Sequence, residues 1–316
     1  MIKPPVLKKG DTIGVISPAS PSESKSEIIR AQETLEDMGY KVVIGKNVNK
    51  QKGFVAASED ERAWDLNYMF KNDGIDAVFV TQGGYGSAQI LDKIDYEAIK
   101  KSPKIFTGFS DITSLHLAMN KFSNLMTFHG PGMARFNSED LTEYTKKQFF
   151  KAIAGTAPLG KIELADEKKW LNSIVPGKCE GQLIGGNMTL ICASLGTPYE
   201  IDCRGKILLL EEVDTEPWVI DHMLSHLRNA GKLNDAAGFL IGQCHGCRPF
   251  EHNPGYYCDI SIEDVFEYYF KPIGKPALYG LPLGHTDDLA TLPLGAFCML
   301  DSTTKTFEVL ESAVTG

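Results

Sequence analysis

The sequence predicts an α/β protein with two domains. The first is an N-terminal parallel-sheet domain of the Rossmann or flavodoxin type. The second is a smaller α/β domain with a mixed or barrel-like sheet. Three observations carry this prediction: short apolar runs alternate with helix-like segments over residues 12–154, a Gly- and Pro-containing stretch without periodicity follows, and a strong apolar strand at 207–210 belongs to a second series of elements. Alternation of strand and helix is typical of a parallel sheet that is covered on both faces.

The first domain, predicted over residues 1–155, has short apolar segments that predict strands and longer segments with helical spacing. Strands are predicted at 12–17, 41–44, 76–80, 104–107 and 126–128. Helices are predicted at 22–38, from 58 towards 70, from 111 onwards, and at about 138–154. Ser58 and Glu61 have the spacing of a capping box, which predicts that the second helix begins there.

Residues 156–178 form the predicted linker, and the second domain is predicted over 179–316. It begins near residues 180–187 and continues with strands at 207–210 and 237–241. Helices are predicted at about 217–230 and 262–270, and short strands end the chain. We find no internal repeat.

The composition limits the classes of partner. Of the 316 residues, 43% are apolar and 23% charged, as in a globular protein with a packed core. The net charge is −9, and basic residues cluster only as pairs, whereas nucleic-acid binding needs a basic surface. There is no apolar signal segment and no apolar run of about 20 residues. We therefore expect a cytoplasmic protein without nucleic-acid or membrane partners, its seven cysteines mostly reduced.

Ser110 is the first candidate catalytic residue. It lies in Gly108-Phe109-Ser110-Asp111, between a predicted strand and a predicted helix. A serine at such a turn can present its hydroxyl above the sheet edge, and the next amide can help to stabilise an oxyanion. The alternative is that Ser110 merely caps the following helix, and the motif by itself favours that alternative.

Glu211 and His285 are the candidate partners of a serine nucleophile. Glu211 ends the apolar strand at 207–210, where an orienting carboxylate for a histidine would be held, and His285 follows a glycine in a loop. A nucleophilic serine needs a base, and the base needs an orienting acid. Each residue also has a simpler interpretation, the glutamate as part of an acidic loop that caps the next helix and the histidine as an ordinary surface residue.

Two further clusters contain residues that could bind a ligand. The glycine-rich turn at 83–86 could supply an oxyanion amide or cradle a phosphate, or it could be a plain tight turn. Cys244 and Cys247, with His252 and Cys258 nearby, resemble half of a zinc site. Loop thiols without a ligand are the simpler interpretation, and we expect no metal and no cofactor. A thioredoxin-like redox motif is disfavoured, because these cysteines do not open the first βαβ unit of the chain.

Together these segments resemble the LD-carboxypeptidase family of serine peptidases, which includes muramoyltetrapeptide carboxypeptidases and microcin C self-immunity proteins. The resemblance covers nearly the whole chain in order. The segments that carry it are 10–20, 59–67, 83–86, 108–111, 129–131, 183–187, 208–212, 284–285 and 291–295.

The resemblance implies a catalytic triad of Ser110, Glu211 and His285, with the active site between the domains. The family more often has Glu-Asp where this chain has Glu211-Glu212, so the choice between the two glutamates stays open, with Glu211 preferred by register. The oxyanion amides would be those of Asp111 and of Gly84 or its neighbour.

The resemblance also implies the substrate. The family removes terminal D-alanine from muropeptide tetrapeptides, cleaving after the L-centre of a diamino acid such as meso-diaminopimelate. The turn at 83–86 resembles the carboxypeptidase branch. The partner is then a muropeptide or small peptide, and family members are often homodimers.

Two rival functions remain. An immunity-type amidase would cleave aminoacyl-nucleotide analogues and would need an aromatic side chain to stack on the base, for which Trp170 and Trp218 are candidates. A non-enzymatic two-domain binding protein would explain the alternating first half but not the positions of Ser110, Glu211 and His285 at strand ends and glycine-flanked loops.

Overall fold

The computed structural model describes residues 1–137, 140–166, 170–249 and 259–316. Its strands are β1 Thr12–Ile16, β2 Lys41–Ile44, β3 Ala77–Val80, β4 Ile105–Gly108, β5 Thr127–His129, β6 Gly160–Lys161, β7 Asn172–Val175, β8 Lys178–Asn187, β9 Ile207–Glu211, β10 Gly238–Gly242, β11 Ala277–Leu281, β12 Leu292–Leu294, β13 Phe297–Asp301 and β14 Thr306–Val309. Its α-helices are α1 Lys25–Asp37, α2 Glu59–Lys71, α3 Tyr96–Lys101, α4 Thr113–Ala118, α5 Glu143–Ala154, α6 Met188–Ser194, α7 Pro217–Asn229, α8 Lys232–Asp235 and α9 Ile262–Ile273.

The chain folds into two compact units. The first contains Met1–Leu159, Asp287–Ala296 and Glu311–Gly316, and the second contains Gly160–Thr286 and Phe297–Leu310. Two late segments of the chain thus belong to the first unit.

The first unit is built on a sheet with the strand order β12-β5-β4-β3-β1-β2. Strands β1 to β5 are parallel, and β12 is antiparallel to β5. Every residue of β3 and β4 is buried, as expected for central strands of a parallel sheet. The edge strand β12 contains Pro293, which is tolerated there because an edge strand need not donate every amide.

N-capping hydrogen bonds explain where three helices of the first unit begin. Ser58 and Glu61 form the predicted capping box, with the Ser58 amide donating to Glu61 Oε2 over 3.1 Å. Helix α1 begins at Lys25 because the Ser24 hydroxyl accepts the Glu27 amide, so the predicted start at residue 22 is three residues early. Helix α5 begins after Thr142, which caps it in the same way.

The second unit has a mixed sheet with the order β6-β14-β13-β8-β9-β10-β11-β7. Strands β8 to β11 are parallel, and the other pairings are antiparallel. Strands β6 and β7 pair into this sheet although they lie within the predicted linker segment 156–178. The predicted α/β class, with one mostly parallel sheet and one mixed sheet, is confirmed. Among the described residues, no helix is both long and apolar enough to cross a membrane.

Candidate active site

The carboxyl ends of the parallel strands of the first unit meet at one sheet edge. Ser110 follows β4 by two residues, the turn at 83–86 follows β3, and residues 130–132 follow β5. Strand pairing places Gly108 beside His129 in register, so the segments after β4 and β5 leave the sheet together. Ligands bind at this edge in open parallel sheets.

The backbone of Ser110 is left-handed, with φ 63°. A non-glycine residue in this region is strained by about 1 kcal/mol or more, and such strain is typical of a nucleophile on a sharp strand-to-helix turn. The 3-10 turn Ser110–Ile112 begins at Ser110 itself, and its capping position is held by Phe109 without a side-chain hydrogen bond. The interpretation of Ser110 as a helix N-cap is therefore wrong.

Gly83 packs directly against Ser110. A Cβ atom added at Gly83 would lie 2.9 Å from Ser110 Cβ and 3.3 Å from the Asp111 amide nitrogen. The next residue, Gly84, has φ 95°, and a Cβ there would overlap the Ser20 hydroxyl. Ser20 in turn accepts the Tyr85 amide over 3.0 Å. Glycine is thus required at both positions, because the turn lies too close to its neighbours to accommodate a Cβ atom.

Asp111 connects the turn at Ser110 by hydrogen bonds to the segment that follows the glycine-rich turn at 83–86. Its Oδ2 accepts the Ser87 amide over 2.8 Å, and its carbonyl oxygen accepts the Ser87 hydroxyl over 2.6 Å. Burial raises the pKa of the Asp111 carboxyl, and the hydrogen bonds from Ser87 oppose that shift. The side chain of Asp111 is therefore committed to structure, which leaves only its backbone amide for an oxyanion.

Arg62 is a positioning residue that the sequence analysis did not single out. Its side chain is almost fully buried, and the guanidinium donates to the carbonyl oxygens of Pro18, Ala57 and Gly86 over 2.7–3.1 Å and to Gln89 Oε1 over 2.6 Å. Burial lowers its pKa. The only sequence signal was that Arg62 falls inside segment 59–67 of the family resemblance.

His116 stabilises the backbone that leads into the turn at Ser110. The fully buried ring contacts the Gly108 carbonyl oxygen through Nε2 over 2.9 Å, and burial lowers its pKa to about 4. A neutral histidine donates to that carbonyl at neutral pH. His116 thus holds the end of β4, two residues before Ser110.

A cavity of about 310 Å³ lies at the same sheet edge. Its walls are formed by Thr81, Gln82, Gly83, Phe109, Gly132, Ala134, Arg135 and Asp140. Gly83 and Phe109 are the residues that contact or precede Ser110. Arg135 and Asp140 are the charged residues in this lining, which makes the cavity a candidate site for a small group that carries charge.

The second unit pairs His285 with Glu211. Glu211 ends β9 with no exposed surface, and its Oε2 accepts a hydrogen bond from His285 Nδ1 over 2.9 Å. The His285 side chain is 22% exposed. Gly284 has φ 84°, and a Cβ there would lie 2.1 Å from Glu211 Oε2. Glycine before the histidine is therefore needed for the pair to form.

Glu212 has different contacts. Its Oε1 accepts Asn187 Nδ2 over 3.0 Å, and its Oε2 accepts both the amide and the hydroxyl of Thr189 over 3.0 and 2.8 Å. Consecutive side chains at a strand end point to opposite sides, so the two glutamates cannot share one partner. Glu212 anchors the first turn of α6, whereas Glu211 is the carboxylate that contacts His285.

The remaining candidates lie in the second unit. In the part of the chain that the structure describes, no group of three or more His, Cys, Asp or Glu side chains is placed to hold a metal ion, while His252 and Cys258 lie outside the described residues. Trp170 is 60% exposed and packs edge-on against Tyr279, and the Trp218 indole donates to Glu216.

Family models match both halves of the chain. The LD-carboxypeptidase N-terminal domain matches residues 13–130, and the LD-carboxypeptidase C-terminal domain matches residues 180–300. The chain belongs to the LD-carboxypeptidase family. The resemblance stated from the motifs is thereby confirmed.

Curated relatives cover almost the whole chain. A Bacillus subtilis protein named "Probable murein peptide carboxypeptidase" is 42% identical over 99% of this chain and 95% of its own. The microcin C7 self-immunity protein MccF of Escherichia coli is 27% identical, over 96% of this chain and 94% of its own.

Solved structures share the fold. The microcin C7 self-immunity protein MccF in its wild-type apo state has a TM-score of 0.90 at 25% identity, over 100% of both chains. The muramoyltetrapeptide carboxypeptidase from Oxalobacter formigenes has a TM-score of 0.81 at 26% identity, over 94% of this chain and 97% of that one. The expectation of an enzyme is confirmed, and this LD-carboxypeptidase family member is a serine carboxypeptidase-type hydrolase.

Proposed function

We propose that this enzyme releases terminal D-alanine from muropeptide tetrapeptides in peptidoglycan recycling, through a Ser110-His285-Glu211 triad and an acyl-enzyme. The observation that carries the proposal is the contact between His285 Nδ1 and the fully buried Glu211 carboxylate. A carboxylate that accepts from Nδ1 fixes the imidazole tautomer in which Nε2 can take a proton.

The reaction would proceed by ordinary acyl transfer. His285 Nε2 takes the proton of the Ser110 hydroxyl as its oxygen attacks the scissile carbonyl carbon. The backbone amides of Asp111 and Gly84 stabilise the oxyanion. The protonated histidine then donates to the departing amino group of D-alanine, and water activated by His285 hydrolyses the ester to regenerate Ser110.

The triad would draw its nucleophile from the first unit and its base and acid from the second. Chain connectivity supports this arrangement. The chain that carries His285 enters the first unit at Asp287, and its next strand, β12, pairs with β5. Strand β5 is the direct neighbour of β4, which leads to Ser110.

The cavity beside Ser110 would hold the D-alanine that is released. A carboxypeptidase must recognise a free terminal carboxylate, and a guanidinium binds a carboxylate by paired, charge-assisted hydrogen bonds. Arg135 is the cationic residue on the cavity wall. We assign to it the substrate's terminal carboxylate, while the methyl group of D-alanine would lie against Phe109.

The same proposal includes a cytoplasmic location and a homodimer. Recycling acts on cell-wall fragments, and a cytoplasmic enzyme would meet them after uptake. Size-exclusion chromatography with light scattering measures the mass of the particle in solution, and a monomer of 34.7 kDa at every concentration would remove the dimer from the proposal.

A defined tetrapeptide ending in meso-diaminopimelyl-D-alanine tests the function. Purified enzyme should release D-alanine, and Ser110→Ala should lose at least about 10³-fold in kcat with unchanged circular dichroism. Ser102→Ala, a serine in the same unit at the end of α3, is the matched control and should retain activity. Full activity of Ser110→Ala would exclude Ser110 as the nucleophile.

A second candidate function is cleavage of aminoacyl-nucleotide analogues. The exposed face of Trp170 favours it, because an indole can stack on a nucleobase. Structures titled as complexes of MccF contain aspartyl sulfamoyl adenosine or glutamyl sulfamoyl guanosine. Hydrolysis of an aminoacyl-sulfamoyl adenosine without any D-alanine release from the tetrapeptide would decide for this alternative.

A further inference from the structure

Cys244 and Cys247 lie directly beside the strand end that carries Glu211. They follow β10, which runs parallel to β9 in the sheet of the second unit. At the end of β10, a Cβ atom added to Gly242 would lie 3.1 Å from Glu211 Cβ. The proposed reaction uses neither thiol.

The backbone brings the two cysteines together at the ends of one tight turn. The Cys247 amide donates to the Cys244 carbonyl oxygen over 3.2 Å, which closes a four-residue turn. The ends of such a turn are less than about 7 Å apart between Cα atoms, and disulfides span about 4.4–6.8 Å. The turn has left-handed backbone at Cys244, φ 47°, and at Gly246, φ 68°. The Cys247 thiol donates to the His245 carbonyl oxygen over 3.7 Å, within the same turn.

The two thiols are chemically unequal. The neighbouring Cys244 thiol lowers the pKa of Cys247, and the Thr215 backbone acts in the same direction. The pKa of Cys244 is raised, first by the neighbouring Cys247 thiol and then by burial. Burial raises the pKa of Cys192, elsewhere in this unit, to about 12. Cys247 also keeps the larger exposed fraction, 9% against 5% for Cys244, so it is the thiol suited to attack and Cys244 the one suited to resolve the product.

We propose that Cys244 and Cys247 form a redox-active dithiol that hydroperoxides oxidise to a disulfide. The Cys247 thiolate attacks one peroxide oxygen, the O–O bond breaks, and the departing oxygen takes a proton, which leaves Cys247 as a sulfenic acid. The Cys244 sulfur then attacks the Cys247 sulfur, and the hydroxyl leaves with the Cys244 proton as water. The sulfur pair loses two electrons, and the peroxide is reduced by two.

Oxidation would disturb the segment that follows Glu211. The Asp214 amide donates to the His245 carbonyl oxygen over 2.9 Å, which joins the cysteine turn to the segment after Glu211. A disulfide places the sulfur atoms about 2.05 Å apart, much closer than two unbonded thiols approach, so the turn that carries them must adjust when the bond forms. Gly246 packs closely on this segment, because a Cβ there would lie 2.0 Å from Asp214 Oδ1, so an adjustment of the turn would be transmitted to Asp214.

Mass spectrometry of the reduced full-length enzyme tests the proposal. After treatment with excess hydrogen peroxide and alkylation under denaturing conditions, two of the seven thiols should be protected, in one peptide with an internal 244–247 disulfide. Dithiothreitol should reverse the change. In Cys244→Ser, a 1,3-diketone reagent should label a sulfenic acid on Cys247, whereas Cys247→Ser should give neither disulfide nor label.

Cys192→Ser is the matched control, since it removes a half-buried thiol outside the turn and should form the disulfide as the wild type does. Cys244 and Cys247 both remaining alkylatable in folded, peroxide-treated wild type would overturn the proposal. So would a wild-type disulfide that joins other cysteines. Because this readout needs no substrate, it is independent of the proposed function.

The catalytic consequence rests on the proposed function and has its own readout. Peroxide should lower the rate of D-alanine release by about tenfold or more in the wild type, and dithiothreitol should restore it. The double variant Cys244→Ser/Cys247→Ser should be insensitive. Equal peroxide inhibition of this double variant would show that the dithiol does not control activity, and an inactive reduced wild type would count against the proposed function alone.

Discussion

Glu211 Oε2 and His285 Nδ1 are 2.9 Å apart, and the carboxylate that accepts this hydrogen bond has no exposed surface. A buried acid holds a histidine more firmly than an exposed one, because water does not compete for the carboxylate. The adjacent Glu212 is also buried but contacts Asn187 and Thr189. Substitution of each glutamate should therefore have a different effect.

The first prediction compares Glu211→Gln with Glu212→Gln. The former should lower kcat for D-alanine release by about 10²- to 10⁴-fold, because the amide favours the wrong histidine tautomer. The latter should keep kcat within a few-fold but lower the free energy of unfolding by about 1–3 kcal/mol, because the α6 contacts lose a charged acceptor. Steady-state kinetics and urea unfolding measure both. The reverse pattern would assign the acid to Glu212.

The second prediction concerns Gly284→Ala. A methyl group would lie 2.1 Å from Glu211 Oε2, so the loop must shift and His285 should lose its contact. We expect a loss of at least about tenfold in kcat/KM. Gly274→Ala is the matched control, because its φ of 69° imposes similar backbone strain with no atom within 4 Å. That variant should lose about 1 kcal/mol of stability and no activity. If Gly284→Ala and Gly274→Ala lost activity equally, backbone strain would explain the loss rather than the contact with Glu211.

The third prediction concerns Arg135→Ala. Removing the guanidinium should raise KM for the tetrapeptide with a free C-terminal carboxylate by about tenfold or more. A tetrapeptide whose C-terminus is an amide should bind the wild type and Arg135→Ala equally weakly. Arg204→Ala, an exposed arginine of the second unit paired with Asp202, should change neither value. If Arg135→Ala kept the wild-type preference for the acid, the carboxylate would bind elsewhere.

The fourth prediction is a pH dependence of stability from His116. Its folded pKa of about 4 lies below the ordinary 6.5, so between those values the unfolded chain binds a proton that the folded chain excludes. The stability contribution is complete above pH 6.5 and decreases as the pH falls towards 4. Between pH 7 and pH 5 the wild type should lose about 2 kcal/mol more than His116→Asn, measured by urea unfolding at each pH. Parallel curves for the two proteins would contradict the assignment.

Much of the fold could be predicted from the sequence, because short apolar segments mark the strands and the residue types around them mark where the strands end. The apolar runs at 76–80 and 104–107 predicted β3 and β4 to within one residue at each end. Short strands were predicted at the end of the chain, but the pairing of β12 with β5 was not, because a three-residue strand gains its stability from a distant partner and carries no periodicity of its own. The same holds for β6 and β7 in the predicted linker.

The sequence by itself determined the family, the parallel sheet, and the set Ser110, Glu211 and His285 as candidates, because these follow from residue types at strand ends and glycine-flanked loops. Tertiary structure alone decided that Ser110 has a left-handed backbone, that His285 contacts Glu211 and not Glu212, and that Arg62 joins three loops. Those facts depend on which groups a folded chain buries together. Burial leaves each buried donor and acceptor to be satisfied by whatever neighbour the fold supplies.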